Sequence, residues 1–200
     1  MTKIEKIRII PKLEIKNDKL IKGMQFEGLR VIGDPVIYAK KFFDDTADQI
    51  IIVDIVASLY SRENLFDTID KITNNIFIPI TAGGGIKSIE DIRNLLEVGA
   101  DRVCLNTFAL ENREILDKIS NIFGSQFISV LIETKKIKNK YYCMKSHGRD
   151  NSGLELEKWI SILKKKNIGE IIIQSIDDDG LKSGFDQKLL SIIDKLNIKK

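Results

Sequence analysis

Gln49-Ile50-Ile51-Ile52-Val53-Asp54 decides the fold: four consecutive β-branched aliphatic residues stand between a polar start and an acidic end. A strand that is apolar without alternation is covered on both faces, which is the condition of parallel strands in α/β proteins. Working outward from this strand, taken as 49–56, similar short runs occur at 7–15, 78–81, 102–106, 127–133 and 170–175. Segments of helical period lie between and after them, at 35–46, 64–74, 89–98, 113–123, 156–166 and 187–196. Asp34-Pro35 reads as an N-cap followed by proline in the first turn. Ser88 with Asp91 resembles a capping box, and Gly99 sits where a helix ends. Strand and helix in strict alternation predict parallel strands joined by right-handed crossovers.

The deciding run has a second copy. Ile171-Ile172-Ile173-Gln174 follows it by about 120 residues, and Leu13-Glu14 returns as Ile132-Glu133 at nearly the same offset. Two matches at one offset predict a fold whose second half repeats the first every four βα units, a (β/α)8 TIM barrel. No G-x-G-x-x-G follows the first strand, which counts against a dinucleotide-binding sheet. Six βα units fill the chain, whereas such a barrel takes about 250 residues. The expectation is a single (β/α) barrel domain over residues 1–200, truncated to about six units, incomplete at its C-terminal end and open at two edges.

Composition narrows the function classes. Hydrophobic residues make up 43% and charged residues 30%, too apolar for a disordered chain. Thirty-two Lys plus Arg against 29 Asp plus Glu leave +3, with the charges spread along the chain. That gives no case for a nucleic-acid groove or an anionic membrane patch. Cys104 and Cys143 are too few for a disulfide framework and point to reduced thiols in a cytoplasm. The N-terminal residues lack the apolar core of a signal peptide, and no apolar run approaches the roughly 20 residues of a spanning helix.

In this architecture chemistry belongs at the C-terminal strand ends. There the sequence places Glu14, Asp54, Gly83-Gly84-Gly85, Asn106-Thr107, Glu133 and the stretch Ser175 to Gly180. Glu14 and Glu133, at repeat-related positions, suit an acid and a base across a shared pocket; the competing reading is salt-bridged carboxylates. Three glycines before a capped helix suit a phosphate, with Asn106 and Thr107 offering an amide and a hydroxyl to the same anion. Asp177-Asp178-Asp179-Gly180 lacks the remainder of a calcium-loop spacing and reads as a substrate-contacting loop or a plain acidic turn. His147, the one histidine, reads as a lone surface or loop residue, because a metal site or a triad would need partners that the sequence does not supply. No metal and no cofactor is expected. Trp159 and Phe123 fall on helix faces and read as core.

Taken together, Ile9-Ile10-Pro11-Lys12-Leu13-Glu14-Ile15-Lys16, Ile21-Lys22-Gly23, Gly33-Asp34-Pro35, Thr81 to Ile86, Leu105-Asn106-Thr107 and Asp179-Gly180 resemble the cyclase subunit of imidazole glycerol phosphate synthase. The resemblance runs in unbroken order from about Lys6 to the end. It implies a (β/α)8 barrel that takes ammonia from a glutaminase partner and acts on a doubly phosphorylated ribulosyl substrate. The products would be imidazole glycerol phosphate and an aminoimidazole carboxamide nucleotide. It implies phosphate contacts at Gly85 with its glycine neighbours, at Asn106 and Thr107, and at Asp179 and Gly180, with Lys22 as the lysine of a mobile loop. On the opposite face it implies an ammonia gate of Arg8, Gln49, Arg102 and Glu170, with Gln49 in place of a glutamate, and Asp101 facing the glutaminase.

The departures fall on the catalytic positions. The family's two catalytic aspartates correspond to Glu14 and Glu133, and an expected threonine to Gln174. The stretch Asp54 to Asn64, with Leu59-Tyr60-Ser61-Arg62, and Phe26-Glu27-Gly28-Leu29-Arg30 resemble a paralogue group found with surface-polysaccharide genes. That group implies amidation of a nucleotide-linked sugar with glutaminase-derived ammonia. The alternatives are the histidine-pathway cyclase and a non-catalytic remnant or interaction protein.

Overall fold

The computed structural model describes residues 7–56 and 63–198. Strand β1 (Lys12–Lys16) is followed by an antiparallel hairpin, β2 (Lys19–Met24) and β3 (Glu27–Gly33), then α1 (Pro35–Asp44) and β4 (Ile50–Asp54). The chain continues through α2 (Glu63–Thr73), β5 (Ile80–Gly83), α3 (Ile89–Glu97), β6 (Arg102–Leu105), α4 (Thr107–Glu111) and α5 (Ile115–Phe123). A second set follows: β7 (Ile128–Ile137), the hairpin β8 (Lys140–Lys145) and β9 (Asp150–Glu155), α6 (Leu156–Leu163), β10 (Glu170–Ser175) and α7 (Gln187–Lys195).

The six strands expected from apolar runs are all present and all parallel, paired in the order β1, β4, β5, β6, β7, β10. Helix starts follow local chemistry. Asp34 accepts from the N–H groups of Val36 and Ile37, and Ser88 and Asp91 close a reciprocal capping box.

The two hairpins are the part that the apolar pattern does not announce. β3 is exposed along almost its whole length and β9 over half of it, with no buried residue in either, so neither needs a hydrophobic face. They make the internal repeat visible. β1, hairpin, α1, β4 is matched by β7, hairpin, α6, β10, and Glu14 stands opposite Val53 as Glu133 stands opposite Gln174.

Side chains alternate between two environments. Ile50 and Ile52 join the main core beneath the helices, where Trp159 is wholly buried and Phe123 packs at the margin. Ile51 and Val53 join a smaller cluster with Ile21, Cys104 and Leu131 on the other face. Each fully buried aliphatic side chain contributes about 1.5–3 kcal/mol, so covering both faces is what holds strands of four or five residues together.

Among the described residues β1 and β10 share no backbone pairing, yet the curled sheet brings them within side-chain reach. Arg8 meets Glu170 at 3.1 Å, and Lys12 donates to Gln174 at 2.6 Å across this seam. No helix among the described residues is long and apolar enough to cross a membrane.

Candidate functional site

Parallel strands deliver their C-terminal ends to one edge, and a cavity of about 190 Å³ opens there. Gly84, Gly85, Asn106, Thr107 and Glu133 line it, as do Asp54, Lys87, Cys104 and His147. Gly84 turns at φ +111°, and a Cβ there would stand 2.1 Å from the Asp54 carbonyl oxygen, so only glycine permits this turn. Gly83 is the last residue of β5, packed against Cys104, and does not line the cavity. Burial pushes the Cys104 thiol up to about 12, which leaves it without thiolate character.

The tip of the β8–β9 hairpin folds over this cavity. Thr107 Oγ1 accepts from the Ser146 N–H at 3.0 Å, and Asn106 Nδ2 donates to Glu133 Oε2 at 2.9 Å and to the Met144 carbonyl at 3.2 Å. The Gly148 N–H adds a second bond to Glu133 Oε2 at 3.2 Å. His147 is here a cavity residue rather than a surface one: its side chain is 8% exposed, and Nδ1 lies 3.5 Å from Glu133 Oε1. Its ring stacks on Phe26 from the β2–β3 hairpin, with centroids 4.2 Å apart. Sequence reasoning missed it because its partners come from two distant segments. The available signal was Ser146-His147-Gly148 between two short alternating runs, which is the pattern of a hairpin tip.

Glu14 and Glu133 do not share this pocket as expected. Glu14, also buried, belongs to a charged cluster beside it. Lys12 Nζ donates to it at 2.6 Å and Lys22 Nζ at 3.0 Å, with the Gln174 amide at 3.3 Å. Burial pushes the Glu14 carboxyl up, but the two lysines outweigh it and bring the group down to about 2. The competing reading of a salt-bridged carboxylate therefore describes Glu14. Lys22 also holds both carboxylate oxygens of Asp179 at 2.8 Å. The loop after β10 presses on the first hairpin: the Gln25 N–H donates to the Asp179 carbonyl, and a Cβ at Gly180 would stand 2.3 Å from the Gly23 oxygen. Lys22, Asp179 and Gly180 are thus together, outside the cavity lining.

At the N-terminal strand ends a polar ring closes the opposite face. Arg8 and Arg102 donate to the Gln49 oxygen at 3.4 and 3.0 Å, and the Gln49 amide donates to Thr81 at 2.8 Å. Glu170 takes Arg8 at 3.1 Å, Arg102 at 3.8 Å and the Ser129 hydroxyl at 3.2 Å. A neutral glutamine suits the centre, because one amide serves two guanidiniums as acceptor and a hydroxyl as donor. Asp101 beside the ring is exposed and accepts from the Ile80 N–H at 2.7 Å. Leu59-Tyr60-Ser61-Arg62 lies outside the described residues.

Comparison with known proteins agrees over nearly the whole chain. The family described as "Histidine biosynthesis protein" matches residues 8–199. A protein of Natranaerobius thermophilus named imidazole glycerol phosphate synthase subunit HisF is 40% identical over 190 residues, 95% of this chain and 76% of the relative. A protein of the same name from Legionella pneumophila is 41% identical over 191 residues, 95% of this chain and 90% of the relative. Another from Lactococcus lactis subsp. lactis is 43% identical over 186 residues, 92% and 72% of the two chains.

Proposed function

The chain belongs to the histidine biosynthesis protein family and to its HisF-like cyclase branch, and from that premise we propose that it is the cyclase subunit of imidazole glycerol phosphate synthase. It takes ammonia released by a glutaminase partner and uses it on a phosphorylated ribulosyl substrate. The observation that carries this reading is the separation of the two polar faces. The cavity with Glu133, Asn106 and Thr107 lies at one end of the parallel strands, and the ring of Arg8, Gln49, Arg102 and Glu170 at the other.

In this reading Gly84 and Gly85 present backbone to a substrate phosphate with Thr107 beside it, while the Asn106 amide is already donated to Glu133 and Met144 and offers the anion nothing. Glu133 is the proton-transfer group. Glu14, held ionised by Lys12 and Lys22, donates no proton at neutral pH and fixes the two lysines beside the cavity. Lys22 and Asp179 fasten the first hairpin to the loop after β10. Asp101 and the ring face the glutaminase, and ammonia passes through the ring toward the cavity.

The test is conversion of the ribulosyl substrate to imidazole glycerol phosphate, with ammonium salts or with glutamine plus the partner, together with rescue of a histidine auxotroph. Formation of product from both nitrogen sources is the expected result. No product from either source, with no rescue, removes the proposal.

A second reading is amidation of a nucleotide-linked sugar. The longer carboxylates at Glu14 and Glu133 favour it, because an added methylene displaces the carboxyl by about 1 Å from where an aspartate would act. The curated relatives favour the cyclase.

A further inference from the structure

The wall of the cavity holds two buried polar atoms without a hydrogen-bond partner, Oδ1 of Asn106 and Nε2 of His147. Both have fixed chemistry. Asn106 turns its amide nitrogen to two acceptors, the Glu133 carboxylate and the Met144 carbonyl, so Oδ1 is the atom left over. His147 turns Nδ1 toward the same carboxylate, which can only accept. The proton of the neutral ring therefore sits on Nδ1, and Nε2 carries a lone pair. Burying such atoms is unfavourable unless something completes them. Two acceptors call for a ligand bearing O–H or N–H groups, and the glycine loop in the same wall suits its phosphate.

The position of His147 is also conformationally costly. Ser146 and His147 both adopt φ above +50°, a region that side chains other than glycine rarely enter. Three contacts hold the turn there: Ser146 N–H on Thr107, Gly148 N–H on Glu133, and the Phe26 ring parallel to the imidazole within 2°. The stack removes rotational freedom from the ring and leaves Nδ1 3.5 Å from Glu133 Oε1.

We propose that His147 is a second proton-transfer residue of this cavity, oriented by Glu133 and Phe26, whose Nε2 contacts the hydroxyl or amine of a bound phosphosugar. The inference rests on the cyclase reading for the substrate's identity and on the geometry alone for the contact. In the step, a substrate X–H gives its proton to Nε2 and the bonding electron pair stays on X. The imidazolium faces the Glu133 carboxyl through Nδ1, 3.5 Å away. The same proton later passes from Nε2 to the leaving group, and His147 returns to neutral. Asp54, Lys87, Glu111 and Glu133 are the ionisable residues lining the cavity with it, apart from Cys104, and Lys12 lies on the Phe26 ring.

The chain has a single histidine, so its imidazole nitrogens give unambiguous NMR signals in the intact protein. The free wild type is expected to show one neutral tautomer, protonated on Nδ1, and Glu133→Gln a mixture. A wild type protonated on Nε2, or a variant with an unchanged ratio, overturns the proposal. Ribose 5-phosphate is expected to shift Nε2 and the Gly84 and Gly85 amides with one saturation curve. Amides that move while Nε2 stays still overturn the contact, and signals that all stay still overturn the cavity as a phosphosugar site.

In turnover with ammonium salts, His147→Asn is expected to lower kcat by ~10²–10⁴-fold and to move KM less than about threefold. Asparagine tolerates the left-handed backbone, so this variant keeps the turn. An unchanged kcat overturns the proposal. If the variant does not fold, the tautomer and titration results decide. If the wild type forms no product, the cyclase reading falls while the NMR results still judge His147.

Discussion

Phe26 and His147 lie face to face with ring centroids 4.2 Å apart, although one belongs to the hairpin after β1 and the other to the hairpin after β7. The repeat thus brings two equivalent hairpins to one point above the strand ends. Aromatic stacks contribute about 0.5–1.5 kcal/mol beyond area burial. A double-mutant cycle of Phe26→Ala and His147→Asn, measured by chemical denaturation, is expected to show coupling in that range. Additivity would mean that the two tips only happen to be adjacent.

Glu133→Gln keeps the size and most of the hydrogen bonds of the side chain while removing the base. The expected effect is a fall in kcat of ~10²–10⁴-fold with substrate affinity largely retained. Equal turnover would remove Glu133 from the chemistry.

Glu14 links stability to pH. Its carboxyl sits at about 2 in the folded protein against an ordinary 4.5, so its contribution is present above about 4.5 and is lost as pH falls toward 2. Glu14→Gln should flatten the acid side of the stability profile. Lys12→Met should raise the Glu14 carboxyl and move the acid loss to higher pH. A wild type and a Gln variant with superimposable profiles between pH 5 and 2 would show that the cluster is not coupled to folding.

Glu170 holds both arginines of the ring. Replacing it with alanine is expected to reduce glutamine-dependent activity while leaving activity with ammonium salts nearly intact. Equal loss with both nitrogen sources would make the ring a structural clasp at the strand starts.

Gly84→Ala introduces a Cβ 2.1 Å from the Asp54 carbonyl oxygen at a φ that alanine avoids. The expected outcome is destabilisation by more than about 1 kcal/mol and loss of phosphate binding by titration calorimetry. Phosphate bound with wild-type affinity would place the anion elsewhere.

The parallel strands and the major helices were legible because each buries an apolar stripe that leaves its period in the sequence. Ile50 to Val53 is the clearest case, with neighbours feeding two different clusters. The hairpins were not legible. Residues such as Glu27, Arg30, Asn151 and Gly153 are exposed and carry no such pattern. The site divided along the same line. Glycine and Asn-Thr signals are local and could be read directly, whereas the ring at the strand starts came only from the family resemblance. The roles of Lys12 and His147 depend on contacts between residues far apart in sequence. Lys12 reaches Gln174 across the seam, and His147 needs Phe26, so neither could be inferred from its neighbours.

The seam between β1 and β10 also carries long chain closures. Neighbouring pairs from β4 to β7 join strands close in sequence, so their ladders close short loops and gain from forming early. Arg8 with Glu170 and Lys12 with Gln174 span 162 residues each, and they have no backbone ladder to propagate. The curled sheet therefore combines short closures along its arc with long ones at the seam. Glu14 sits beside that seam, so its cluster with Lys12 and Gln174 is completed only when the two ends of the arc meet.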